Sequence, residues 1–329
     1  MPITTADFND LVKNAKYQWE NAEPEMPEVR SQLATVVSVS TKTSDHSIIS
    51  SLPTAKRRNE GDDATKGEPK QGYTKSFSQT EIALQGDVTK QMRMFDKYDE
   101  IMMRMRELGR STRRRMELDI ASLLSYAWST SYTNMDGETV TTSTPDGLTL
   151  IDASHTPNGT SDVWSNELGS THDAISHDTL EALIQLFNNF LDDGDGRHIP
   201  VQPTHIITGT HVPTMHEVKR ILGSMQRPST GDNDTNVNKG ILQHLVVPFL
   251  DFNASTEARD SAKAQYCFVA NLGRDRNGFR MEVSQQPRLE APDQVFESST
   301  WQFLSTALYD FGTTRANFIA GTKGDGTSV

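Results

Sequence analysis

The sequence holds a single cysteine, Cys267, so no disulfide can form within the chain. That thiol sits in the apolar run 264–270, where a buried strand position is expected rather than a nucleophile. No stretch approaches the ~20 apolar residues of a membrane span. The N-terminal MPITTADFNDLVKNAKYQW lacks the charged-then-apolar layout of a signal peptide, so cytoplasmic synthesis is expected. A basic excess is missing too. The net charge of −12 excludes wholesale coating of nucleic acid, which needs cations to neutralise phosphates, and leaves room only for sparse contacts. Apolar residues are scarce, at 35% of 329 residues with a mean hydropathy of −0.57. Four Trp, thirteen Phe and seven Tyr can still build a core. The shortfall points to an extended shape, or to burial completed against neighbouring subunits.

The signatures of chemistry are missing as well. There is no GxxxxGK[ST] loop and no GxSxG elbow. The tail 321–329 is glycine-rich and expected to be loose. Asp192-Asp193-Gly194-Asp195-Gly196 resembles part of a calcium loop, but Arg197 occupies a ligand position, so an acidic turn ending a helix is expected. His211 and His216 are five apart, as are His172 and His177, which puts neither pair on one helical face. Glu60-Gly61-Asp62-Asp63 lies among lysines in an open loop, without the pocket that catalytic carboxylates need. No catalytic residue, metal site or cofactor is expected. Bound metal, or a concave pocket gathering His205, His211 and Asp251, would favour an enzyme built on the 175–290 lobe.

What is present is architecture. From Lys97 to Trp128, apolar residues at Tyr98, Ile101, Met105, Leu108, Met116, Ile120, Leu123, Leu124 and Ala127 lay one stripe along a helix without proline. Gly109 is its weak point, at about 1 kcal/mol against alanine. Arg110, Arg113, Arg114 and Arg115 project to several sides and are expected to pair with Glu107, Glu117 and Asp119, or with another subunit. Residues 1–30 read as an arm with a short helix from Asp7 to Trp19, broken by Pro24 and Pro27. The β-prone runs 32–40 and 74–85 flank the charged, glycine-broken segment 54–75, suggesting a long two-stranded excursion. Asp87 is a plausible cap for the helical region that follows. A hairpin is expected at 129–144. The α/β texture beyond Ile175 predicts a helix from Asp178 to Leu191, capped by Asp178 with Glu181, and a second starting at Pro213. Strands are expected at 204–208, 245–250, 265–270, 279–283 and 301–311.

That order resembles a tailed-bacteriophage major capsid protein, across about residues 30–320. The resemblance is carried by Glu60-Gly61-Asp62-Asp63 through Gly72-Tyr73, by Thr89-Lys90-Gln91-Met92 and by Glu107-Leu108-Gly109-Arg110. It continues in Asp146-Gly147-Leu148 with Ser154-His155, and in Asn236-Val237-Asn238-Lys239-Gly240 followed by Pro248-Phe249-Leu250-Asp251. It ends with Tyr309-Asp310-Phe311-Gly312 and Arg315-Ala316. The fold implied is α+β: an arm and first strand (1–40), an extended β-hairpin loop (41–85) and a peripheral domain with a long spine helix (86–150). An α/β axial domain (151–275), returning strands (276–320) and a tail (321–329) complete it.

The function implied is assembly without catalysis. Hexamers and pentamers would close an icosahedral virion shell around double-stranded DNA, assembled in the host cytoplasm, with portal, scaffold and decoration proteins as partners. The extended loop would lie on a neighbour through Lys56, Arg57, Arg58, Glu60, Asp62, Asp63, Lys66, Glu68, Lys70, Tyr73 and Lys75, and the arm would cross to another subunit. Arg110, Arg113, Arg114, Arg115 and Glu117 would make spine or intersubunit contacts. The chain begins at Met1, and removal of an N-terminal scaffolding segment is not expected. Some relatives crosslink a loop lysine to a neighbour; Lys66, Lys70 and Lys75 hold that region here and are read as solvated charges. Two alternatives stay open: a cellular shell enclosing enzyme cargo, and the soluble enzyme on the 175–290 lobe.

Overall fold

The computed structural model describes residues 5–50, 52, 54–95, 98–169, 172–228, 234–295 and 300–324. Lys97, expected to open the long helix, and residues 325–329 of the tail lie outside them.

Helix α1 (Thr5–Glu20) leads through the Pro24–Pro27 segment to the single turn α2 (Arg30–Leu33) and strand β1 (Thr35–Ser38). Strands β2 (Thr43–Ile49), β3 (Gln71–Ser78) and β4 (Thr80–Val88) follow. Then come the short α3 (Lys90–Met94), the long α4 (Tyr98–Ser125), and the hairpin β5 (Ser131–Thr133) and β6 (Thr139–Thr141). The α/β lobe contributes α5 (His177–Leu186), β7 (His205–Thr208), α6 (Val212–Gly223), β8 (Gln243–Val246) and β9 (Cys267–Ala270). The chain returns through β10 (Phe279–Leu289), β11 (Asp293–Val295), β12 (Thr300–Thr313) and β13 (Ile319–Thr322).

Helix α4 is 28 residues long, about 42 Å at 1.5 Å per residue. Its stripe of Ile101, Met105, Leu108, Met116, Ile120 and Leu123 is buried. The stripe covers a five-stranded sheet in which β12 is central. Strand β12 pairs antiparallel with β10, β4 and β11, and β1 adds to β10 in parallel. Alternate residues Phe303, Ser305, Ala307 and Tyr309 of β12 are buried, as the period of a strand requires. A second sheet, in the order β13-β9-β7-β8, carries α5 and α6. One apolar core joins the C-terminal half of α4 to both sheets.

Several expectations change. The arm does not leave the molecule over its described length. Leu11, Ala15 and Trp19 of α1 pack against Met105, Leu108 and Phe303, and Trp19 Nε1 donates to Ser305 Oγ at 3.1 Å. Gly109 is not a weak point of α4. A Cβ there would stand 2.7 Å from the carbonyl oxygen of Trp19, so only glycine lets α1 approach this closely. The two-stranded excursion is built by β2 and β3, not by the 32–40 run, whose strand joins β10. Strand β2 is polar and was hidden by its composition. Asp87 lies inside β4, and Thr89 caps α3 instead, accepting from Met92 N at 3.3 Å. Ser176 caps α5 in place of Asp178, accepting from Thr179 N, and the helix stops at Leu186 before a 3-10 turn at Phe187–Asn189. Strand β8 ends at Val246, and β10 runs on to Leu289. Gly321 and Thr322, expected in a loose tail, are the end of β13, paired to Phe268 and Cys267.

Candidate intersubunit surfaces

The hairpin β2–β3 projects a tip, 54–69, that has no regular structure and is exposed throughout. Lys56, Arg57, Arg58, Glu60, Asp62, Asp63, Lys66 and Glu68 all lie on it. No ion pair joins them to another described residue. Lys70 closes the tip, its backbone exchanging hydrogen bonds with Ser50 at 2.8 Å. Tyr73 and Lys75 differ from this group in having side-chain partners within the chain. The Tyr73 hydroxyl donates to Thr156 O at 3.1 Å, and Lys75 Nζ donates to Ser143 O at 2.9 Å. Burial lowers the Lys75 pKa, against the pull of Asp310. Both side chains are committed to the root of the hairpin.

That root rests on the acidic turn singled out in the sequence. The Gly72 Cα faces the Asp193 backbone so closely that a Cβ would meet it at 3.4 Å. At Gly194 a Cβ would stand 2.7 Å from the Ser50 Cβ. Asn158 bridges the two, its N–H donating to Asp193 O at 2.8 Å and its amide to Gln71 O at 3.3 Å. Behind the turn is a charged cluster that sequence reading missed. Burial pushes the Asp193 carboxyl up to about 7, with Arg315 opposing and Asp146 and Asp192 reinforcing. Burial lowers Arg315 in turn. Against the cost of its own burial, Asp146 is held below the usual carboxylate range by hydrogen bonds from His155, at 2.6 Å, and Thr144.

The arginines of α4 bind the arm of their own chain. Arg110 Nε donates to Glu23 O at 2.8 Å and also pairs with Glu107. Arg113 donates to Ala22 O and Glu20 O at 2.7 and 3.0 Å, and lies over the Trp19 ring. Arg114 reaches Glu25 at 3.5 Å and Glu257 at 4.0 Å. The Glu117 carboxylate accepts from the backbone N–H groups of Val29 and Arg30, at 2.9 and 3.1 Å. Backbone carbonyls as arginine partners leave no charge signature, which is why pairing rules alone did not find the arm.

Arg115 is set apart. It pairs with Asp119 at 3.0 Å and Asp136 at 2.9 Å, while the Tyr309 hydroxyl donates to Asp119 at 2.5 Å. Burial raises the Asp119 carboxyl despite both partners. This group floors a trough of about 580 Å³ between β4, α4 and the β5–β6 hairpin. Among the described residues, Glu81, Asp119, Asp136, Glu138, Glu257 and Asp310 line it with Arg115 as the one cation, so it presents a negative face. Strand β4 is the edge of its sheet there, paired on one side to β12.

The polar residues of the 175–290 lobe have partners of their own. His205 contacts Thr204, His211 contacts Thr214, and buried Asp251 is taken by Arg259. His172 packs edge-on to Trp128 and beside Glu167. Cys267 is buried in β9, and burial pushes its thiol up to about 12, away from the thiolate that reacts. No helix is long and apolar enough to cross a membrane among the described residues.

Comparison with known proteins meets this geometry. A family model described as phage capsid protein matches residues 73–324. No curated protein matches the chain. Among solved structures, a chain of the capsid of Myoviridae phage XM1 is 12% identical, with a TM-score of 0.50 over 91% of this chain and 93% of that one. A chain from Mycobacterium phage Patience is 12% identical, TM-score 0.52, over 98% and 89%. One from Gordonia phage Cozz is 9% identical, TM-score 0.52, over 89% and 85%. At such identities the structures speak for the fold alone, while the family model spans most of the sequence. This mixed helix-and-sheet chain, with its projecting hairpin and sheet-covering helix, therefore belongs to the phage capsid protein family, with the fold of tailed-phage major capsid proteins.

Proposed function

We propose that the chain is the repeating subunit of an icosahedral head, gathered as hexamers and pentamers around double-stranded DNA. The observation that carries this reading is the hairpin tip: 16 residues of both charge signs, fully exposed, on a root clamped to the rest of the subunit. A segment with so little to bury is stabilised only by something outside its own chain. The acidic trough supplies the complement, and Lys56-Arg57-Arg58 of a neighbour is its natural occupant. Exposed Ile49 and Leu52 on the hairpin, and Met94, Phe95 and Met103 around the start of α4, offer apolar area for the same contact. Individual exposed ion pairs are worth about 0–1 kcal/mol. Repeated over a closed symmetric shell they hold it together, yet let a misplaced subunit leave. DNA contacts are sparse on this reading, as the net charge of −12 requires. Portal, scaffold and decoration proteins complete the partners.

The test is negative-stain imaging of the purified full-length protein with nuclease digestion of its contents. Closed angular shells that protect double-stranded DNA are expected from infected cells, and empty shells or capsomers from the protein alone. A compact monomer at every concentration overturns the reading.

A further inference from the structure

His177, the first residue of α5, is 6% exposed, and its two ring nitrogens have unlike surroundings. Nε2 lies 3.2 Å from Asn236 Oδ1. The orientation of that amide is settled by its own donors, since Asn236 Nδ2 gives to Ile221 O at 2.5 Å and Ser224 O at 3.0 Å. Its Oδ1 also accepts from the N–H of Asn238 at 3.0 Å. An oxygen therefore faces Nε2, and Nε2 carries the proton. The Asn238 amide, 3.1 Å from Nε2, has nothing to give there and turns to Glu181 Oε1 at 3.4 Å. The neutral ring then presents a bare lone pair at Nδ1. That buried atom has no hydrogen-bond partner. It points at carboxylates, 3.3 Å from Glu181 Oε1 and 4.0 Å from Asp178 Oδ1. Two anions beside this nitrogen call for a positive charge there, a proton on Nδ1 or a metal ion.

The geometry points to a divalent-cation site on the first turn of α5, formed by Nδ1 of His177 with the carboxylates of Asp178 and Glu181, for a borderline ion of the zinc, cobalt or nickel class. The three donor atoms lie within 4.8 Å of one another. Two donors about 2.0–2.1 Å from a tetrahedral ion stand about 3.3 Å apart, the separation found between His177 and Glu181. One imidazole with two carboxylates suits such ions and balances their charge. Asn236 does what the outer partner of a metal-bound histidine does, holding the other ring nitrogen by its N–H. Two features oppose the ion. Arg227 pairs with Asp178 Oδ1, leaving Oδ2 on an exposed side chain for the metal, and the helix N-terminus disfavours a cation. The site is accordingly of moderate affinity. Its effect is to fasten the 236–238 segment to α5. Histidine pairs were the wrong pattern to seek in the sequence; the pattern is His177 with Glu181, four residues on. The inference does not depend on the shell-forming reading.

The test strips full-length protein with EDTA, dialyses it, and titrates it with zinc chloride by calorimetry and with cobalt chloride by visible absorption. One ion per chain is expected, with the cobalt band of a low-coordinate nitrogen–oxygen site. Glu181→Gln, at a half-exposed position where the fold is preserved, should weaken binding at least tenfold. His177→Gln should abolish it. Failure to bind one ion per chain overturns the proposal, and nitrogen NMR showing both His177 ring nitrogens protonated would identify an imidazolium–Glu181 pair in its place. Unchanged affinity in both variants overturns it too, assigning the ion to other histidines.

Discussion

Single positions in this subunit carry opposite instructions from local propensity and from packing, and packing wins. Alanine at Gly109 would favour the helix by about 1 kcal/mol. It would also drive a Cβ to 2.7 Å from the Trp19 carbonyl. Overpacking of this kind costs about 1–3 kcal/mol, so Gly109→Ala should lower stability in denaturant unfolding despite the better propensity. Asp193 gives a pH dependence whose sign is fixed. Its folded carboxyl titrates at about 7, well above the ~3.9 of an unfolded aspartate. Between those values the folded state keeps a proton that the unfolded state has lost, so stability falls as pH rises from 4 to 7 and is level above. Asp193→Asn should remove that part of the slope, on the order of 3 kcal/mol, read as a smaller drop in Tm between pH 5 and pH 8. Asp119→Ala leaves Arg115 and the Tyr309 hydroxyl without their shared partner. About 3–5 kcal/mol should be lost, as when one member of a buried pair is removed.

Elements differ in how plainly they are written in the chain. Helix α4 and strand β12 were legible because their burial repeats at 3.6 and 2 over long runs. Helices α5 and α6 were legible for the same reason, though a serine two residues earlier capped α5. Strand β2 was not, since Thr43-Ser44-Asp45-His46-Ser47 is too polar to declare a strand that pairs mainly with its hairpin partner. The β1–β10 pairing spans more than 240 residues, and no local pattern encodes it. Within the candidate surface, the tip was recognisable by its lack of anything to bury. The anchoring of Tyr73 and Lys75 depends on carbonyls distant in sequence, invisible until the chain is folded. The hairpin yields its own prediction. Replacing Lys56, Arg57 and Arg58 together with glutamate should leave circular dichroism and Tm unchanged while shells fail to form. Adding Glu81→Lys and Glu138→Lys should restore assembly in part. Restored assembly would tie the tip to the acidic trough, and its absence would send the tip elsewhere.

For the whole molecule, the balance of a thin apolar core against a charged surface sets how an assembly behaves. Contacts made by exposed ions weaken as the Debye length contracts from about 8 Å to 3 Å between physiological and 1 M salt. Capsomers should therefore loosen reversibly in 1 M salt, with no change in the Tm of the separated subunit; sedimentation before and after dialysis reads this. The sheet topology has a consequence in time as well. Strand β1 waits for β10, and β4 waits for β12, so the central sheet has no partner strands until nearly the whole chain has left the ribosome. Helices and hairpins form in microseconds, whereas pairing across such separations is slow. During synthesis the apolar stripe of α4 and the face of β4 stand uncovered. On the shell-forming reading, a subunit is ready to assemble only once β10 to β13, residues 279–322, have been translated.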